Sequence, residues 1–469
     1  MDPSPASFID DFQYAYFKDV RLTRRLGAIA GRVAAKPSSS LPQAMVTEAG
    51  LEGAYRFFNN PRVTLDDILA PHVAATAARA GEHAVVRVLH DTTECDFAGE
   101  SKRVGLGRTS SKHQGFFAHT TLVTTAEATP LPLGVLALTV YTRPDDKDKK
   151  KPTPDHHNSG RNGEFIRWEH HARLAEDQLP GGTHAVHVMD REAGAYALLA
   201  SLMDSRFVVR ALSDRVVYHP DDPRGERLGT LPEVAAAAPV VVSRTVRLSR
   251  RSAAGRARTS LKEHPPREER VAQLGVAATT VALRRDSRMP KDVPATMTVH
   301  VVRVREIDPP GDADPVQWLL LTNLPVGTRE EIEAVVDHYR GRWLIEEFFK
   351  ALKTGCGLEA LQLESYDALV NAMAVFVPVA AQMLALRTLD RAQPEAPATM
   401  VLTERQVRVL RSVEHLKLPP TPTVHQVLLA VARLGGHLKR NGPPGWLTLS
   451  RGFRDLQLLE SGWAARDGM

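Results

Sequence analysis

The sequence predicts a mixed α/β protein, a sheet with helices packed on it, carrying a β-rich insertion and flanked by helical segments at both ends. Three observations predict this. Residues 1–75 and those beyond about 391 carry helical apolar spacing. Between them, short β-rich runs alternate with helical ones in the order three strands, helix, strand, helix, strand, which suits a mixed sheet covered by helices. Residues 213–325 then hold a series of β-type runs with basic loops between them. At 469 residues the chain is long enough for two to four domains at a prior of about 150 residues each.

Taken in order, residues 8–36 have helical spacing and stop at Pro37-Ser38-Ser39-Ser40. More helix follows over 52–80, interrupted by Asn59-Asn60-Pro61. Val85–Leu89 is a β-rich run ending at His90-Asp91-Thr92-Thr93, and the runs 116–125 and 131–142 follow it at hairpin spacing, which predicts an antiparallel meander. Residues 144–162 are polar and read as a loop; Glu164–Gln178 reads as a helix. The strand His184–Met189 ends at Asp190, and a helix over 192–203 and a strand over 206–212 come next. A long helix over 328–354 starts at a capping box, Thr328 to Glu331, and ends at Gly355. The remainder is helical with a Pro/Ala-rich joint at 393–398. The expected organisation is a helical module over 1–75, a sheet-bearing domain over 76–390 and helices over 391–469.

Hydrophobic residues make up 43% of the chain and charged residues 25%, which excludes wholesale disorder. Cys95 and Cys356 are the only cysteines, which excludes a disulfide scaffold and a cysteine-built zinc module. No apolar run reaches the roughly 18 residues that span a bilayer, and the opening MDPSPASFIDDFQYAYF is unlike a leader peptide. A reducing cytoplasm, away from membranes, is the expected setting. The net charge of +5 and pI near 9.2 are a weak lean, but the cations cluster: Arg21, Arg24, Arg25, Arg32; then Lys102, Arg103, Arg108, Lys112; then Arg244, Arg247, Arg250, Arg251, Arg256, Arg258. Such patches suit a polyanion such as nucleic acid, or are merely solvated loops.

The chemistry concentrates in YRGRWLIEEFFKALK, residues 339–353. At about 100° per residue, Arg342, Glu346, Lys350 and Lys353 all fall within about 60° of Tyr339. Leu344, Ile345, Phe348, Phe349 and Leu352 fall on the other side as a core stripe. One carboxylate therefore stands among cations and a phenol, a pattern that a salt-bridged surface also produces. Asp91 and Asp190 each follow an apolar strand, where an Asp is ordinarily a turn or cap residue. With Glu346 they make three carboxylates able to converge on hard divalent ions. Two such ions activate an attacking oxygen and stabilise a leaving one in phosphodiester chemistry, and neighbouring cations hold backbone phosphates.

The string Tyr339-x2-Arg342-x3-Glu346-x6-Lys353 resembles the signature of the insertion-sequence-four family of bacterial DDE transposases. GAYRF (53–57), Asp91-Thr92-Thr93, Asp190-Arg191-Glu192, RFVVR (206–210), WLLLT (318–322), IEEF (345–348), KTG (353–355) and ARLGG (432–436) also resemble that family, in the same order over nearly the whole chain. The resemblance implies an RNase H-like catalytic core in which Asp91, Asp190 and Glu346 ligate two Mg²⁺ ions, with Mn²⁺ able to substitute. It implies cleavage of both strands at transposon ends through a DNA hairpin, joining of the 3′ ends to target DNA, and a homodimer in the synaptic complex. Tyr339, Arg342, Lys350, Lys353 and Arg210 would hold phosphates. Trp318 would stack on a flipped base, a role an indole suits. Arg21, Arg25 and Arg56 would contact the ends, and the helices from about 391 would dimerise. Family membership implies a bacterial, nucleoid-associated protein.

Weaker signals are read blandly. Asp155-His156-His157 and His170-His171 lack zinc-site spacing and read as loop and helix surface. Cys95 and Cys356 read as small packed residues. Glu164 and Trp168, four apart, repeat a family spacing. Glu347 is expected to face solvent, and Glu94 and Asp96 compete with Asp91 for metal. Two rivals to the enzyme remain: a catalytically silent DNA-binding inhibitor or domesticated end-binder, and an RNase H-like nuclease of repair.

Overall fold

Capped amphipathic helices open the computed structural model, which describes residues 8–97, 103–109, 113–143, 165–211, 215–251, 266–311, 315–438, 440 and 442–467. The expected loop at 144–162, with Asp155-His156-His157 in it, lies outside the described residues, as do Lys102, Lys112, Glu164, Arg256 and Arg258. The chain divides into two units. One comprises Met1–Lys150, Leu174–His184 and Trp343–Met469; the other comprises Lys151–Arg173 and Ala185–Arg342.

In the first unit, the helix Val20–Ala35 starts at Asp19, whose side chain accepts from the Arg21 N–H, and buries Leu26, Ile29, Ala30 and Val33. The single helical segment expected from residue 8 is instead a 3₁₀ turn, Asp10–Tyr14, and this helix. Lys18 between them has φ +57, which no helix accommodates. Thr47 and Thr64 cap Glu48–Phe58 and Leu65–Ala80, and Asn59-Asn60-Pro61 separates the two as expected. The 3₁₀ turn is locked down by charge. Asp11, buried, takes His72 Nδ1 at 2.7 Å and both Arg79 terminal nitrogens at 3.1 Å. His72 Nε2 accepts from the Val135 N–H at 3.1 Å, which fixes the proton on Nδ1.

Strands β1 (Val85–Phe97), β2 (Gly107–Arg108), β3 (Gln114–Thr125) and β4 (Pro132–Tyr141) form the expected antiparallel meander, with β3 between β1 and β4 and also pairing β2. Helix Leu65–Ala80 presses so closely on β4 that a Cβ at Gly134 would collide with Thr76 Oγ1. The register of β1 on β3 is unbroken from Val86 opposite Thr125 to Phe97 opposite Gln114. The strand therefore does not end at His90, and Asp91 lies inside it. Thr93, Cys95 and Phe97 stay buried at alternate positions, so the period-2 core pattern continues beneath residues that read as a turn.

The helix Tyr366–Ala392 is the spine of this unit. Its most apolar 18-residue window has mean hydropathy 2.0 and is 83% buried. It corrects the expectation that no apolar run is long enough to span a bilayer, although its apolar surface is covered by protein. Asn371 on it donates to the Phe58 and Val63 carbonyls, each at 3.0 Å. The helices Glu404–Ser412, Val424–Leu434 and Trp446–Asp467 build a further cluster around Leu410, Val427, Val431 and Leu456.

The second unit holds a mixed sheet of β5 (His184–Met189, its first residue in the other unit), β6 (Arg206–Arg210), β7 (Val216–Tyr218), β8 (Arg227–Thr230), β9 (Val240–Leu248), β10 (Arg270–Arg284), β11 (Thr296–Ile307) and β12 (Gln317–Thr322). Its order is β5-β6-β12-β11-β10-β7-β8, with β9 also on β10. β5 and β6 are parallel; the other pairs are antiparallel. The β-rich stretch 213–325 continues the same sheet, with β12 pairing β6. The expected helix over 192–203 is a 3₁₀ turn, Arg191–Ala193, followed by Tyr196–Ser201. Trp168, Leu199, Phe207, Val209, Val299 and Leu321 centre the core. His171 is buried too, against the expectation of a surface residue, because it continues the Trp168, Ala172 and Ala175 stripe of its helix.

Candidate active site

The helix expected over 328–354 is two helices and a π-turn: Arg329–Gly341, Trp343–Lys350 and Ala351–Gly355. The Thr328–Glu331 capping box is present. The break falls at Gly341-Arg342, where glycine weakens the helix and the Arg342 N–H turns to the Tyr339 carbonyl. A helical wheel drawn from Tyr339 therefore does not carry through to Lys353. The core stripe survives, with Leu344, Ile345, Phe348, Phe349 and Leu352 all buried, but Tyr339 is buried rather than on a polar face.

The first unit contains Asp91, Glu346, Lys350 and Lys353 among the expected site residues, and also Arg21, Arg25 and Arg56. Asp91 is half-buried on β1; its Oδ1 accepts from the Thr92 N–H at 2.8 Å. Glu346 is half-buried on Trp343–Lys350, the helix that packs on β1. Strand alternation puts Glu94 and Asp96 on the face of β1 opposite Asp91, so they do not compete with it. Burial raises the Glu94 carboxyl above its ordinary range, with Asp96 adding to the rise.

Glu347 does not face solvent. It is buried and takes Lys350 at 2.9 Å and Arg387 at 3.4 Å. Lys350 also lies over the Trp343 ring at 4.4 Å. Lys353 donates to the Glu94 carbonyl and pairs with Glu359 at 3.3 Å. Sequence reading passed over Glu359. It also passed over His90 and His119, buried rings stacked at 6.3 Å, whose Nδ1 atoms meet Thr121 and Thr92 hydroxyls at 3.2 and 2.8 Å. Only their period-2 positions on apolar strands signalled burial. Cys95 and Cys356 are buried, as expected; burial pushes the Cys95 thiol up to about 12 and raises Cys356 as well.

The second unit brings together Asp190, Arg210, Trp318, Tyr339 and Arg342. Asp190 ends β5 as expected and caps the following turn, its Oδ1 accepting from the Glu192 N–H at 2.8 Å. Trp318 meets Tyr339 edge-on at 5.2 Å. Arg210 reaches the Gln317 carbonyl at 3.4 Å. Burial pushes the Tyr339 phenol up; Arg342 and Arg210 oppose that rise and Asp190 adds to it.

The basic clusters differ in what they offer. Arg25 is exposed and its guanidinium occupies the space a Gly53 side chain would fill. Arg21 pairs with Asp19 at 3.1 Å and Arg56 with Glu52 at 2.5 Å, with arginine side chains 85% and 77% exposed. Arg32 instead donates to the Met45 carbonyl at 2.7 Å, and Arg103 to the Leu361 carbonyl at 3.1 Å. In the third cluster Arg244 is held by Asp337 and Glu333, Arg247 by Glu269 and Arg250 by Glu268.

Residues 6–63 match the family model described as transposase DNA-binding, and residues 241–376 the model described as transposase DDE domain. The second match includes Trp318, Tyr339, Arg342, Glu346, Lys350 and Lys353 and stops short of Asp91 and Asp190. Among solved structures, the chain is similar to a piggyBac transposase in a synaptic complex with hairpin DNA. The TM-score is 0.31 and the identity 10%, over 82% of this chain and 67% of that one. The two family matches support a DNA transposase, with a transposase DNA-binding domain and a transposase DDE domain on one polypeptide.

Proposed function

We propose that the protein is a cut-and-paste DNA transposase of the insertion-sequence-four family, similar to the transposon-five transposase, with an RNase H-like core. One observation carries the reading. The DDE-domain match spans the Tyr339-Arg342-Glu346-Lys353 string, and Glu346 stands half-buried on a helix packed against the strand that bears Asp91. Residues 1–75 read transposon ends through Arg21, Arg25 and Arg56. Residues 76–390 carry the chemistry, and those from 391 hold the homodimer of the synaptic complex.

Asp91, Asp190 and Glu346 would hold the metal. Their donors are hard carboxylate oxygens on half-buried side chains, a set suited to Mg²⁺, or Mn²⁺, with water and substrate completing the shell. Two bound ions supply Lewis-acid activation of the attacking oxygen and stabilisation of the leaving one. The chain's own residues do the rest. Arg210, Arg342, Lys350 and Lys353 hold backbone phosphates, and the Tyr339 hydroxyl donates to one. Trp318 replaces the stacking lost by a flipped base as the hairpin forms. Water nicks one strand, the freed 3′-OH attacks the other, water opens the hairpin, and the 3′-OH attacks target DNA. No serine, cysteine or tyrosine acts as a nucleophile.

The end-binding inhibitor is kept as a second reading because the DNA-binding match stands on residues 6–63 alone and the DDE match does not reach Asp91 or Asp190. A supercoiled plasmid carrying the gene with its native flanking DNA separates the two. The transposase releases flanking DNA when Mg²⁺ is added; the inhibitor retards the same DNA in a gel and leaves it uncut.

A further inference from the structure

We infer that Glu359 is a positioning residue that fixes the Lys353 ammonium against the strand bearing Asp91. The inference deepens the transposase reading and rests on it. Lys353 stands on the π-turn Ala351–Gly355, closed by the Cys356 N–H on the Ala351 carbonyl at 2.7 Å. Such insertions re-aim helical side chains and recur at functional sites. Gly357 then turns the chain at φ +65 into the 3₁₀ turn Leu358–Ala360, a conformation glycine adopts without strain. That turn brings Glu359 to β1.

Glu359 makes two contacts at once. Its Oε1 accepts from the Asp96 N–H at 3.1 Å and lies 3.3 Å from Lys353 Nζ. Lys353 in turn donates to the Glu94 carbonyl. Glu94 C=O and Asp96 N–H are two residues apart and share one edge of the strand, so a carboxylate and an ammonium together finish the hydrogen bonding of that edge. The stretch of β1 involved is itself held, because the Asp96 carboxylate accepts from the Thr109 hydroxyl and lies 3.8 Å from His113 Nδ1.

A lysine side chain loses substantial rotamer entropy when it is immobilised. Here the ammonium is held twice within the protein, by a hydrogen bond to the Glu94 carbonyl, three residues beyond Asp91 on the same strand, and by its ion pair with Glu359. The remaining donor capacity faces a substrate phosphate. Glu359 therefore sets where that phosphate is gripped relative to Asp91 without touching the DNA itself.

The test uses the full-length chain, the plasmid with native flanks and Mg²⁺, in a double-mutant cycle of Lys353→Ala and Glu359→Ala. Glu359→Ala is expected to slow first-strand nicking about tenfold with gel-shift affinity unchanged. Glu359→Gln, which keeps an acceptor for the Asp96 N–H and for Lys353, is expected to recover to within about threefold of wild type. In the Lys353→Ala background, Glu359→Ala should cost nothing further. Three results overturn the inference: wild-type nicking by Glu359→Ala, an equal loss in both backgrounds, or no recovery with Gln. If wild type itself never cuts, the transposase reading falls and takes this one with it. If wild type cuts and Lys353→Ala is slow while Glu359→Ala is not, only the positioning role falls.

Discussion

The two ends of the 339–353 string sit in contrasting surroundings. At the Tyr339 end the phenol is buried against Trp318, with Arg210 and Arg342 acting on its charge, a setting of rings and guanidinium. At the Lys350 and Lys353 end each ammonium pairs with a carboxylate, Glu347 and Glu359. The first arrangement sets two rings edge to face. The second stores cations against internal anions and presents them at fixed places. A polar face on a helical wheel therefore describes neither end, since what each side chain can do is set by partners remote in the sequence.

The largest expected effect is a loss of stability in acid, centred on one buried histidine in each unit. Burial pushes His171, in the second unit, down to about 3 and lowers His72, in the first. Both imidazoles are lowered from 6.5, so the unfolded chain binds more protons below that pH. The stability they contribute is full above pH 6.5 and is lost as pH falls toward about 3. For His171 the loss is on the order of several kcal/mol. His171→Phe should flatten the acid limb of a denaturant series; an unchanged limb would place the acid sensitivity elsewhere.

Next comes Glu347→Ala. It leaves the half-buried Arg387 and the exposed Lys350 without their shared, buried carboxylate, and about 3 kcal/mol of unfolding free energy should go with it, read as a lower urea midpoint. A loss below about 0.5 kcal/mol would mean a pair of only surface strength. At the opposite end, Trp318→Ala should slow hairpin formation about 10- to 100-fold while the first nick changes little. Equal slowing of both steps would remove the stacking role.

The smallest effect tests the basic clusters. Arg25→Ala should reduce the salt dependence of DNA binding by about one unit of slope. Arg244→Ala, whose guanidinium is only 21% exposed and is held by both Asp337 and Glu333, should leave the slope unchanged. A matching change in both variants would mean that internal pairing does not withhold an arginine from DNA.

Much of this was legible in the sequence wherever neighbours along the chain decide the outcome. The meander, the strand ending at Asp190, the capping box at Thr328 and the stripe of Leu344, Ile345, Phe348, Phe349 and Leu352 all follow from local periodicity and caps. Asp91 was misplaced because polar residues crowd one face of β1 beyond it, while Thr93, Cys95 and Phe97 keep the other face buried. Glu347 and Glu359 were misjudged or missed for another reason: Arg387 lies 40 residues away along the chain from Glu347, and Asp96 lies 263 from Glu359. No period encodes such partners. The break at Gly341-Arg342 was written in a single glycine and was overruled by an otherwise continuous pattern.

The central claim is that Glu346 serves chemistry rather than docking. Its direct measurement is Mg²⁺-dependent release of flanking DNA by Glu346→Gln beside a gel shift of the same preparation. The account predicts cleavage reduced on the order of a thousandfold or more with end binding unchanged. Undiminished cutting, or loss of binding in step with cutting, would contradict it.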